Sequence, residues 1–266
     1  MRTIILSTVI SLYLSASAVL GSPIFSDSFS YPDGNLVGQG GWSQQGSTVT
    51  SPIQVTSEGA RLGSSGQDGT KLLNSTLTLS SGTTFYYGLK LNVSSAGTGD
   101  YFLNFLSAAN SSFFGRVYVK ATGGGFVLGY LEAQGGIAVA TYGSTVLGFN
   151  TDYRVVVAYN SLSGALNNSA AVYVDPSNTG VESANSAYLT DSWTSSTAEP
   201  GQVTALVLRQ GDLGSAPSIL IDDLSAGTLF SDAALFPTVT PVPEVSVIGV
   251  VGFGVIALGY VVRRRR

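Results

Sequence analysis

The segment Phe85 to Val93 limits the fold more than any other stretch of this chain. Phe85, Tyr87, Leu89, Leu91 and Val93 fall on one side of an extended backbone, and Tyr86, Gly88, Lys90 and Asn92 on the other. A period of two puts one face in a core and one in water, which is a half-buried strand. Shorter runs of the same kind follow at 101–106, 115–121, 126–131, 137–142, 153–159, 171–174, 203–209 and 219–224, separated by Gly, Asn and Ser. No long window carries a helical period, so the class is all-β. The strands outnumber what one open sheet holds, and two packed antiparallel sheets, a β-sandwich of the jelly-roll kind, are the economical solution.

The two ends read differently. Met1 and Arg2 followed by the apolar run from Ile4 to Leu14 form a signal peptide over residues 1–21. Ala16 and Ala18 offer one cleavage site and Val19 and Gly21 another, so the mature chain starts at Val19 or Ser22. Residues 22–236 form the ectodomain. Pro237, Pro241 and Pro243 mark a short extended stalk over 237–244. Residues 245–262 carry no charge, and as a helix they span roughly 27 Å, enough to cross a bilayer core. Arg263, Arg264, Arg265 and Arg266 then act as a stop signal that stays cytoplasmic.

Val242, Pro243 and Glu244, the apolar span and the terminal arginines together resemble the tripartite PEP-CTERM tail, with Val245 where that family usually has a second proline. The resemblance implies export, signal peptidase, and an exosortase-type enzyme that cuts near the short motif and leaves the ectodomain at the cell surface or in the extracellular matrix. An uncleaved tail anchor is the alternative. The ectodomain is similar to laminin-G and concanavalin-like sandwiches in three places: Phe25-Ser26-Asp27-Ser28-Phe29 with Gly41-Trp42, Gly99-Asp100-Tyr101-Phe102-Leu103 with Phe114-Gly115-Arg116-Val117, and Ile219-Leu220-Ile221-Asp222-Asp223-Leu224. That resemblance implies a last strand returning beside the first, with Asp222 and Asp223 near Asp27.

Several function classes are closed by composition. The chain has no Cys and no His, which excludes disulfides, thiolate or imidazole metal sites, and His-based triads. Twelve bases face sixteen acids, and five of the bases are Arg2 and the terminal arginines, so the ectodomain repels a phosphate backbone and no nucleic-acid partner is expected. Carboxylates are the acid–base groups left, and a glycosidase needs two of them about 5–9.5 Å apart. Glu58, Glu132, Glu182 and Glu199 have no second acid within three residues, and Asp222 and Asp223 point to opposite faces of a strand.

No catalytic residue and no organic cofactor is therefore expected. Calcium is the one metal these oxygen donors suit, with Asp27 and Asp222 as candidate ligands. Gly123, Gly124 and Gly125 read as a hairpin turn. Trp42, Trp193, Tyr86, Tyr118, Tyr142 and Tyr188 are core packing or, where several share an exposed surface, a platform for sugar rings. The leading expectation is a non-enzymatic surface or matrix protein that binds polysaccharide. A glycan-active enzyme with two acids in a cleft, and a structural filler without an aromatic platform, are the other two.

Overall fold

The computed structural model describes residues 23–107, 113–132, 139–162, 167–192, 200–213 and 219–235. The signal peptide, the stalk with Val242, Pro243 and Glu244, the 245–262 span and the terminal arginines lie outside them. No helix among the described residues is long and apolar enough to cross a membrane.

The strands are β1 Phe25–Asp27, β2 Gly34–Asn35, β3 Ser43–Gln45, β4 Gln54–Thr56, β5 Gly59–Leu62, β6 Asp68–Thr78, β7 Thr84–Val93 and β8 Asp100–Leu106. They continue with β9 Phe113–Thr122, β10 Gly125–Leu131, β11 Thr141–Tyr142, β12 Asp152–Asn160, β13 Ser169–Val174, β14 Leu189–Ser192, β15 Gln202–Leu208 and β16 Ile219–Gly227. One helix, α1 Phe230–Ala234, follows.

Two antiparallel sheets result. The nine-stranded sheet runs β14-β13-β12-β7-β16-β5-β4-β2, with β1 also on β16, and the seven-stranded sheet runs β11-β10-β9-β8-β15-β6-β3. The expected all-β two-sheet sandwich is what the chain adopts. Its last strand does return beside its first, with Asp27 opposite Leu224.

The core lies between the sheets, where Phe85, Tyr87, Leu89, Leu91 and Val93 of β7 meet the other sheet's inner face. Phe105 contacts Phe85 and Tyr87 edge-on at 5.0 and 4.5 Å, the geometry that aromatic quadrupoles favour. Gly123 and Gly124 take φ of 52° and 88° in the β9–β10 hairpin, which is a turn and not a phosphate cradle. The long strand β6 was not legible in the sequence. Its Asp-Gly-Thr-Lys-Leu-Leu-Asn-Ser-Thr run does not alternate, because a bulge opposite Val203 and Ala205 shifts its faces.

Candidate functional site

On β9, Val117 and Val119 face the core, so Arg116, Tyr118 and Lys120 face outward. Register then builds a row. Tyr101 of β8 lies opposite Tyr118, Tyr118 opposite Gly129 of β10, and Gly129 opposite Tyr142 of β11. Three tyrosines thus cross four strands, with ring centroids 5.6 and 6.3 Å apart. Gly129 is needed here, since a Cβ would sit 2.6 Å from the Tyr142 ring that lies across it. All three tyrosines are half-buried. Burial raises the phenol pKa of Tyr118 and of Tyr142, so both hydroxyls stay neutral at physiological pH.

Cations flank this row. The Arg209 guanidinium lies 4.1 Å from the Tyr101 centroid and pairs with Asp100 at 2.7 Å. Asp100 also accepts from the backbone N–H groups of Tyr101 and Asp212. Arg116 lies 5.5 Å from the same Tyr101 ring, and the Lys120 ammonium 5.2 Å from Tyr142. Arg116 donates from Nη2 to the Phe113 carbonyl at 3.3 Å, and its Nε, like Oδ1 of the fully buried Asn104 on β8, has no hydrogen-bond partner among the described residues. Ring faces beside fixed donors and acceptors suit a ligand with apolar C–H faces and polar edges.

The nine-stranded sheet's outer face is split in two. One half is a groove of about 480 Å³. Register lines up Arg61, Leu220, Asn92 and Asp152 in one row and Asp222, Lys90 and Arg154 in the next. Lys90 pairs with Asp152 at 3.2 Å. The Asn92 amide, and then Lys90, hold the Asp152 carboxyl below its usual range, whereas burial and then the Asp223 charge push Asp222 up.

The other half is closed. Helix α1 packs Phe230, Ala233 and Ala234 on Val156, Ala158 and Tyr173. Arg154 donates to the carbonyls of Asp223, Ala233 and Leu235. Any side chain on Gly88 would strike the Ala233 carbonyl.

The two calcium candidates are not brought together. Asp27 sits on the core side of its sheet, where its oxygens accept from Phe29 N–H, Tyr31 hydroxyl, Trp42 Nε1 and Lys71 Nζ at 2.7–2.8 Å. A calcium ion there would have to displace the Lys71 ammonium. Asp222 lines the groove on the opposite face. Among the described residues no cluster of three or more acids gathers that could hold a metal. The Asp27 contacts explain the Phe25 to Phe29 and Trp42 motif instead. They hold Phe29 at a φ of 48° and let it stack on Trp42 at 5.9 Å.

Of the candidate aromatics, Trp42 is core and Trp193 lies outside the described residues. Tyr86 donates to Glu182 and packs on Phe230, and Tyr188 donates to the Thr145 carbonyl. Tyr118 and Tyr142 are the pair that shares a surface. Tyr101, Arg116, Lys120 and Arg209 were missed, although the spacing Arg116-x-Tyr118-x-Lys120 on an expected strand was a usable signal. Glu58 pairs with Arg61, Glu132 is buried on the Tyr159 hydroxyl, and Glu182 binds Tyr86 and Tyr173. Glu199 lies outside the described residues.

No protein-family model matches the chain, and no curated protein is similar to it in sequence. Solved structures are similar in fold. The CBM2 module of the evolved Dit of Lactobacillus casei BL23 phage J-1 is 10% identical over 78% of this chain and 96% of its own, with a TM-score of 0.48. The T. cruzi calreticulin globular domain is 9% identical over 78% and 88%, at 0.45. Domain 4 of AbnA, an extracellular arabinanase of Geobacillus stearothermophilus solved with arabinotriose, is 15% identical over 73% and 88%, at 0.41.

Proposed function

We propose that this protein is an exported, surface-anchored or matrix-associated module that binds polysaccharide through the tyrosine row of its seven-stranded sheet. The observation that carries the reading is the register that sets Tyr101, Tyr118 and Tyr142 side by side, half exposed. Among the described residues no protein group bonds their hydroxyls, so a ligand finds both ring surface and polar tips. Export through residues 1–21 and sorting through Val242-Pro243-Glu244, residues 245–262 and the terminal arginines complete the proposal.

The test is a polysaccharide array probed with the full chain in non-ionic detergent and with its Tyr118→Ala variant. Binding by the parent and a loss of about tenfold or more in the variant, about 1.4 kcal/mol, is expected. Equal binding by both would reject the site. Intact-mass analysis of protein from its native host checks the ends. Loss of both termini fits sorting, and retention of Arg263 to Arg266 means a plain tail anchor.

A second reading, acid–base chemistry on a glycan, has one observation in its favour. Asp222 and Asp152 line one groove with carboxyl pKa values pushed in opposite directions, the pattern of an acid and a base. Release of reducing ends that stops in Asp222→Asn would select it over the binding module.

A further inference from the structure

The tyrosine row has a border of cations in a chain whose net charge is −4. Three cations border it, and only one is neutralised from within. Arg209 has the Asp100 carboxylate at 2.7 Å. Arg116 and Lys120 have no carboxylate partner among the described residues.

The two arginines make an internal comparison, since both lie over the Tyr101 ring. At Arg209 the guanidinium over that ring also receives a carboxylate. At Arg116 the same cation–π arrangement has no anion: Nη2 donates to the Phe113 carbonyl at 3.3 Å, and Nε, in a residue only 9% exposed, has no acceptor among the described residues. A desolvated guanidinium with an open donor favours an arriving carboxylate, which it binds by charge-assisted hydrogen bonds. Lys120, exposed at the other end of Tyr118, adds a second charge two residues on. Arg116 and Lys120 are four residues apart on one strand, about 13 Å between Cα atoms, so a chain of sugars and not a single one spans them.

We infer that the Tyr101, Tyr118 and Tyr142 face recognises an acidic polysaccharide, with Arg116 and Lys120 pairing with carboxylates of its uronate units. This rests on the reading of that face as a glycan site. A neutral glycan would stack on the rings and leave Arg116 without an anion.

The experiment titrates the full chain in non-ionic detergent with polygalacturonate, with its fully methyl-esterified form, and with dextran sulfate. The variants are Tyr118→Ala, Lys120→Glu and Lys120→Arg. Lys120 is exposed, so its substitution leaves folding intact. The expected result is binding to polygalacturonate that weakens about tenfold or more on esterification and in Lys120→Glu, is kept in Lys120→Arg, is lost in Tyr118→Ala, and falls with added salt. Equal affinity for the ester, with loss in Tyr118→Ala but not in Lys120→Glu, overturns the acidic specificity and leaves the glycan face standing. Dextran sulfate bound as tightly as polygalacturonate, and unaffected by Tyr118→Ala, overturns it as non-specific charge attraction. Polygalacturonate bound equally by Tyr118→Ala and the parent overturns the glycan face itself.

Discussion

On the outer face of the nine-stranded sheet, Tyr86, Gly88 and Arg154 lie beneath α1, whereas on the outer face of the seven-stranded sheet Tyr101, Tyr118 and Tyr142 stay half exposed. Both faces offer tyrosines and arginines at alternating strand positions, and both use a glycine as a seat. Gly88 admits the α1 carbonyl of Ala233, and Gly129 admits the Tyr142 ring. The difference lies in where the polar tips end. Tyr86 and Tyr173 hand their hydroxyls to Glu182, and Arg154 is spent on three backbone carbonyls. On the other face the hydroxyls of Tyr101, Tyr118 and Tyr142 have no protein partner among the described residues, and Arg116 and Lys120 have no carboxylate. An aromatic residue on an outer strand face thus marks a binding surface only when its hydroxyl is not already used by the fold.

The comparison breaks most visibly through the closed face. Arg154→Ala removes the donor that holds α1 and leaves three carbonyls with less than their due, an expected loss of about 3 kcal/mol, or about 10 °C in Tm for a domain of this size. Polysaccharide affinity of the folded variant should stay within about twofold of the parent, because the tyrosine row is on the other sheet. A large loss of affinity in thermally intact samples would mean that the two faces are coupled.

Gly129→Val tests the open face from beneath. The new side chain occupies the space of the Tyr142 ring and should displace it at a cost of about 1 kcal/mol in stability while binding falls several-fold. Denaturant melts and polysaccharide titration on the same samples separate the two effects. Unchanged binding would exclude Tyr142 from the site.

The smallest effect concerns Asp222. Burial and Asp223 raise its folded-state pKa, so the native state holds its proton more tightly than the unfolded chain does. Its ionisation therefore lowers stability as pH rises from the ordinary carboxylate range through the raised value. Asp222→Asn should give a slightly higher Tm at pH 7, and the gain should vanish once the pH drops below the ordinary carboxylate range. Thermal melts across that range check the sign. A gain that persists in acid would show that charge is not its source.

Much of the sandwich was legible. The alternation in β7 and β9 and the apolar runs in β10, β12 and β16 are local properties of consecutive residues, and burial turns them into sheet positions. β6 was not, because its bulge is defined only by the partner strand β15. α1 was not, because five residues are too few to show a period.

The site divides in the same way. Tyr118 and Tyr142 were legible as surface candidates, but their joining with Tyr101 was not. That row crosses four strands and depends on three registers, of which only that of the β9–β10 hairpin is set by a local turn. The fate of Asp27 likewise hung on Lys71, forty-four residues away. Composition alone, with no Cys and no His, removed thiol and imidazole chemistry from this chain. Which carboxylates and cations would be used up internally was decided only by tertiary structure, since pairing depends on which charges the folded strands bring within hydrogen-bonding distance.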